Sequence, residues 1–417
     1  MGKPQLMRVV IAIAVIVSVF QTTCCLSMGV KVYPTLNSLR NAIGSAHSGD
    51  TLLLQNGIFK EHDLVIKKRI VLKGTVNSII DGENKFQAFI VQADSVVIDG
   101  IEIRDIGRSS ITDMAGIRIV NANFVTITGN KFINNTYGIY LQNAERCNII
   151  SNIIHSDFKD EVNGGNGIHA WKSNHLLVKG NNISGHRDGI YFEFVTESQI
   201  ISNISFGNAR YGLHFMFSHN DTYSSNTFKD NGAGVAVMYS RGVVMLNNDF
   251  LHNWGDASYG LLLKEITDSK IEHNHFIRNT VGIHMEGTTR VDVKQNLFQD
   301  NGWALRVQAS CSGSNFTGNN FIGNSFDVAT NGSLMLNLFD RNFWDKYDGY
   351  DLNRNGVGDV PYYPVSVYSV ISEKIPSAMI LYHSFLTDII DKVEKVMPTM
   401  IPDKLKDDNP IIKKIAL

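Results

Sequence analysis

Charge of either sign is scarce in this chain, and so are cysteine and long apolar runs. Acidic and basic residues make up 19% of the sequence and nearly cancel, 40 against 38, for a net charge of -2. That balance excludes the basic surface on which general nucleic-acid binders depend, so no nucleic acid is expected as a partner. Of four cysteines, Cys24 and Cys25 fall near the N-terminus, which leaves Cys147 and Cys311 in the body of the chain. Those two lie in distant repeats, which argues against an intrachain disulfide. Cys147 stands on an inward-pointing strand position, where cysteine acts as a small hydrophobe, and neither is read as a ligand. The N-terminal apolar run, Val9 to Phe20, is 12 residues, too short for a comfortable membrane span. Preceded by Lys3 and Arg8 and followed by the small polar stretch Gln21 to Ser27, it reads as an export signal over 1–27. Thr22-Thr23 before the paired cysteines is a poor match to a lipidation motif.

What the chain has in quantity is glycine, 35 residues of it, with abundant asparagine and β-branched residues. Such a composition points to short strands joined by tight turns. A glycine followed by alternating apolar residues recurs at Gly116, Gly138, Gly167, Gly189, Gly212, Gly234, Gly260 and Gly282, with Ala304 in the same role. An asparagine follows each glycine at 14 residues: Asn130, Asn152, Asn181, Asn203, Asn226, Asn248, Asn274 and Asn296. The commonest full period is 22 residues. That period without a helical pattern fits the coil of a right-handed parallel β-helix, an all-β solenoid; a propeller needs longer repeats. One coil cannot bury its apolar side alone, whereas coils stacked about 4.8 Å apart build a continuous core. The repeated asparagine predicts a ladder of amides bonded along the stack.

The expected organisation is therefore a signal at 1–27, a cap helix over 35–46 within irregular first coils (28–115), regular coils over 116–341, an Asp/Asn-rich cap loop at 342–365, and a C-terminal helical segment at 366–417. In that last segment Met379, Tyr382, Leu386, Ile389, Ile390 and Val393 recur at helical spacing between Pro376 and Pro398, which predicts an amphipathic helix.

Because the glycine-to-asparagine interval is rigid, insertions fall between an asparagine and the next glycine. The two longest are seven extra residues within 155–166 and four within 252–259. Insertions in solenoids collect on one face, often the binding face. On the strand they lead into, residues two and four after the glycine point outward and stack coil on coil. The outer pairs include His169 and Trp171, Tyr191 and Glu193, His214 and Met216, Ala236 and Met238, Leu262 and Lys264, His284 and Glu286. Thioethers select soft Cu(I) and imidazole suits copper in either state, so His214, Met216 and Met238 form a candidate copper site. The alternative is a protein-docking face that includes His169, Trp171, Tyr191 and Glu193. A second candidate lies in "DGYDLNRNGVGD". Asp351, Asn353, Asn355 and Asp359 alternate as in the opening of a calcium loop, but Tyr362 stands where the closing acid belongs. An Asx-turn-rich cap is the competing reading there.

The stretches "RYGLHFMFSHNDTYSSNTF", "GVAVMYSRGVVMLNNDFLHN", "NFWDKYDGYDLNRNGVGDVPYYPVS" and "PSAMILYHSFLTDIIDKVEKVMPTMIPD" resemble the NosD family of periplasmic maturation proteins of nitrous oxide reductase. The resemblance implies an exported, non-enzymatic accessory protein, peripheral to the outer side of the cytoplasmic membrane. Its implied partners are an ABC transporter permease with its ATPase, a copper chaperone and the reductase itself. The C-terminal helix, through Met379, Leu386 and Ile390, would contact the permease. The family offers no agreed ligand motif, and dense Met or Cys runs are absent, so copper is expected to be handed on transiently. The rivals are a polysaccharide lyase, hydrolase or epimerase on the same fold, and a docking scaffold that binds no metal. Glu193 and Glu286 fall four coils apart, about 19 Å at the stacking distance, beyond the span of paired hydrolytic carboxylates. That leaves Glu193 with Asp160 or Glu161 of the 155–166 loop as the pair open to such an enzyme.

Overall fold

A computed structural model describes residues 29–109, 111–157, 164–332, 336–381, 384–385, 387, 389–390 and 405–417. The export signal predicted at 1–27 lies outside them. Three parallel sheets of 14, 12 and 13 strands run the length of the molecule, and each complete coil of the right-handed solenoid supplies one strand to each. The alternation of Val, Ile and Phe with polar residues gives most three-residue strands one buried centre, as in Thr126–Thr128 and Asp249–Leu251. Stacked centres form the core; one file runs Phe228, Phe250, Phe276, Phe298, Phe321 and Trp344, with ring centroids 4.0–5.6 Å apart.

The repeated glycine has a steric cause. A Cβ on Gly234 would meet the Gly260 carbonyl oxygen of the next coil at 2.4 Å, so the strands close up here only without a side chain. The asparagine ladder forms as the spacing predicts. The backbone N–H and the Nδ2 of Asn226 both donate to Oδ1 of Asn248, each at 3.0 Å, and Asn226 Nδ2 also reaches the Ile200 carbonyl. The same pattern continues through Asn342.

A second ladder escaped the sequence reading. Asn208, Asn231, Asn253, Asn279, Asn301 and Asn324 repeat these bonds one turn further along each coil. Each stands five residues after a member of the first ladder, and Asp157 and His186 interrupt the run at the corresponding positions of two earlier coils.

Both ends of the stack are capped. At the N-terminal end helix α1 (Ser38–Ser45) covers the first coils, and Glu61 accepts from the Leu39 and Arg40 amides at 2.8 Å. At the C-terminal end residues 405–417, which sequence reading grouped with the docking segment, return to the last coil. Asp407 ends the first ladder by accepting from Asn342 N and Nδ2, Arg341 N and Trp344 Nε1. Helix α2 (Val367–Lys374) lies upstream of the helix expected from Pro376 onward. Ser366 caps it, and Ile375, held at φ -132° beside Pro376, ends it. Pro376–Leu381 forms a 3-10 turn instead. No helix among the described residues is long and apolar enough to cross a membrane.

Candidate functional site

The strand that opens at each repeated glycine carries three outward columns, at the residue before the glycine and at two and four after it. Strand register fixes their neighbours: Tyr191 lies beside His214 and His214 beside Ala236, while Glu193, Met216, Met238, Lys264 and Glu286 follow one another coil by coil. The alternation that predicts His214 and Met216 on one face therefore holds, and so does the four-coil gap between Glu193 and Glu286. Asp160 and Glu161 lie outside the described residues.

Burial departs from expectation. The middle column faces outward yet is covered: His169 is 9% exposed, His214 5% and Ala236 0%. The cause is aromatic packing along and across the coils. Tyr140, His169, Tyr191 and His214 pack ring to ring at 4.5, 4.8 and 4.9 Å between centroids. Tyr137 and Tyr211, in the column before the glycine, close over His169 and His214 at 5.7 and 4.8 Å. His169, expected as a docking residue, is thus a covered member of a stack. Burial pushes its pKa down to about 3, which keeps the ring neutral, and the Asn166 amide lies 3.2 Å from Nδ1.

His214 sits in a more polar setting. Its Nδ1 is 3.7 Å from Oδ2 of Asp188, beyond hydrogen-bond reach, and neither ring nitrogen has a hydrogen-bond partner. Asp188 is fully buried, and Arg210 grips both of its oxygens. Burial opposes ionisation of this carboxyl, but Arg210 and His214 outweigh it and hold the pKa below the usual value. Asp188 thus lies behind one nitrogen of the imidazole but too far off for the hydrogen bond that orients metal-binding histidines. Tyr191 donates its hydroxyl to the Met216 sulfur at 3.7 Å, and burial, with Glu193 and Asp188 nearby, pushes that phenol up to about 12. Met216 and Met238, adjacent in register, are both half-buried. Lys264 pairs with Glu286 at 3.4 Å, and Lys172 lies 4.4 Å over the half-buried Trp171 ring.

Residues 150–355 match the NosD family, described as periplasmic copper-binding protein, and residues 72–181 match the right-handed beta helix region. Over residues 150–355 the chain is similar to the NosD family. A "Probable ABC transporter binding protein NosD" of Pseudomonas aeruginosa is 25% identical over 402 residues, covering 85% of this chain and 86% of that one. A protein of the same name from Stutzerimonas stutzeri is 23% identical, covering 84% of each. Among solved structures, the catalytic unit of a GH87 alpha-1,3-glucanase from Streptomyces thermodiastaticus superposes with a TM-score of 0.55 at 14% identity, over 76% of this chain and 69% of that one. That likeness shows a shared solenoid and nothing of activity.

The NosD match spans the coils that carry His214, Met216 and Met238 as well as most of the cap loop. In that loop the oxygens of the candidate calcium residues accept hydrogen bonds from neighbouring amides. Asp351 accepts from the Asn355 and Gly356 amides, Asn353 from Asn355 N and Asn355 from Val357 N. Asp359 accepts from Leu352 N and from Asn353 Nδ2. These bonds form Asx turns, and Gly358 N bonds to the Pro410 carbonyl, tying the loop to the returning C-terminus. No group of three or more His, Cys, Asp or Glu side chains among the described residues converges as a metal cage. Methionine falls outside that donor set, so the thioether pair is a separate matter. Of the C-terminal docking residues, Met379 lies within the 3-10 turn and Ile390 is half-buried, while Leu386 lies outside the described residues. Their neighbours Ile380 and Phe385 are 88% and 80% exposed.

Proposed function

We propose that this protein is a periplasmic, non-enzymatic partner of an ABC transporter that passes copper toward the assembly of nitrous oxide reductase. Cu(I) is the cargo, held transiently by the Met216 and Met238 sulfurs with His214. Transporter association and copper binding accord with the family description and the relatives' names. The reductase, the chaperone and the docking of Ile390 and its neighbours on a permease extend that reading.

One observation carries the site: two thioethers stacked in register beside a buried imidazole with unpaired nitrogens. A buried nitrogen without a partner costs roughly 1–3 kcal/mol, which bonding to a metal removes. Thioethers without thiolates favour Cu(I) at modest strength, which suits handing on rather than storage. The O–H···S contact from Tyr191 that loading would displace is weak. A polysaccharide-cleaving reading finds less support, since Glu193 and Glu286 are four coils apart and Lys264 engages Glu286. The test is anaerobic Cu(I) titration against a chromophoric chelator, with the His214→Ala, Met216→Leu variant alongside. Binding by the native chain and its loss in the variant is the expected outcome. Equal binding by both would move the metal elsewhere, and no binding by either would leave a docking scaffold.

A further inference from the structure

One turn of the solenoid carries residues that the copper reading leaves unused. The residue five after each repeated glycine, immediately past the outer column, adopts a left-handed backbone in every regular coil: Asn121, Asn143, Lys172, Phe194, Phe217, Tyr239, Glu265 and Gly287, with φ between 48 and 61°. Asparagine and glycine tolerate that region, whereas a bulky aromatic there is a conformational outlier. Three aromatics nonetheless occupy it in consecutive coils, those of Glu193, Met216 and Met238. Their rings form a parallel ladder, with Phe194 to Phe217 at 5.2 Å and 8° and Phe217 to Tyr239 at 5.0 Å and 16°.

Core burial does not explain the choice, because Phe194 is 44% exposed and Tyr239 38%. Backbone bonding does not require it either: Phe194 N and Phe217 N donate to the Met216 and Met238 carbonyls just as Asn121 N donates to Gln142 O. The ring contacts return about as much as the strain costs, so the fold gains little net from aromatics here, and strained residues cluster at functional sites.

The geometry of the ladder says what would bind it. Ring faces are turned toward one another and only edges are free along its length. Saccharide rings stack on aromatic faces, so a glycan gains little here. Ring edges carry partial positive charge and attract thioether sulfur, which meets aromatic rings most often at the edge. The ladder also borders the thioether pair, each ring being the residue next in sequence to Glu193, Met216 or Met238.

We infer that Phe194, Phe217 and Tyr239 form the seat for a methionine-bearing, uncharged polypeptide segment of a partner, which brings its thioethers alongside Met216 and Met238. The naming of the partner rests on the copper reading; the seat is argued from ring geometry and backbone.

The experiment uses the exported chain and a metal-free, uncharged synthetic peptide with two Met-x-x-Met repeats, with binding followed by calorimetry. A second peptide replaces methionine by norleucine, which keeps length and apolarity but removes sulfur. The variant is the triple Phe194→Asn, Phe217→Asn, Tyr239→Asn, which installs the residue type that Asn121 and Asn143 already show this turn accepts. We expect tenfold or greater loss of peptide affinity in the variant, with the urea midpoint and Cu(I) affinity of the native chain retained, and several-fold weaker binding of the norleucine peptide. Equal binding of the methionine peptide by native and variant chains would overturn the seat, as would equal affinity for the two peptides. If the native chain takes no Cu(I) yet discriminates the peptides, the copper reading fails and the seat stands. Should Cu(I) bind at His214 and Met216 without any peptide binding, the seat fails and the copper reading stands.

Discussion

Two turns of the same coil have opposite histories. The turn 14 residues after the repeated glycine holds asparagine in each regular coil, with every amide bonded to the next. The turn five residues after the glycine holds Asn, Asn, Lys, Phe, Phe, Tyr, Glu and Gly in order. Both must let the chain change direction, so turning alone does not separate them. Burial does. The asparagine turn is closed to water, where an unpaired amide is costly and only a side chain that both donates and accepts keeps the stack bonded. The other turn is open, its backbone groups bond along the stack whatever the side chain, and sequence there is free to serve something else.

Breaking the buried turn should cost most. Asn248→Ala removes the acceptor for Asn226 N and Nδ2 and the donor to Asn274 Oδ1 and the Tyr223 carbonyl. Several buried groups left unpaired cost about 3–6 kcal/mol together. Urea unfolding of the variant measures this, and a loss below about 1 kcal/mol would mean that the stack relaxes around the gap.

A third turn lets the comparison be tuned by charge. Asp221 is buried, accepts from Ser198 N at 2.8 Å through one oxygen and leaves the other unpartnered. Burial pushes its pKa up to about 8, above its unfolded value near 4. The protonated acid is therefore favoured in the folded state. Its stabilising effect is complete below about pH 4 and is lost as pH rises through about 8. Asp221→Asn should remove that loss, raising stability at pH 7 by at most on the order of 4 kcal/mol. Asn337, in the same column, shows that the site accepts an amide: its Oδ1 takes Ser314 N and its Nδ2 reaches the Cys311 carbonyl. Melting temperatures of both proteins between pH 5 and 8 should diverge as pH rises, and parallel curves would refute the assignment.

The same contrast explains what could be read in advance. The solenoid was legible because glycine and asparagine at fixed spacing each answer a local demand, close approach in one case and amide pairing in the other. The second ladder carried the same signal, five residues after the first, but Asp157 and His186 interrupt its asparagines in two of the earlier coils. Outward direction at His169 and His214 followed from alternation. Their burial did not, because it depends on rings from the column before the glycine, Tyr137 and Tyr211, that no period of two assigns to that face. Asp407 was illegible for a different reason: it completes the ladder 65 residues past Asn342, from a segment without periodicity.

The smallest expected effect makes the sharpest test of the comparison. In Phe217→Asn two opposing terms nearly cancel. The variant loses ring contacts with Phe194 and Tyr239, worth about 0.5–1.5 kcal/mol each at full burial and less at this half-exposed turn. It gains by placing in the left-handed region a residue that tolerates it, relieving strain on the order of 1 kcal/mol. The backbone bonds at this turn do not involve the side chain and are unchanged. Net stability should therefore shift by less than about 1 kcal/mol in urea, against several for Asn248→Ala. A loss as large as that of the buried ladder would make the aromatic turn a structural element and remove the reason to look for a partner there. A neutral result leaves three strained rings, half-buried at Phe217 and exposed at Phe194 and Tyr239, beside Met216 and Met238 without a role in holding the fold.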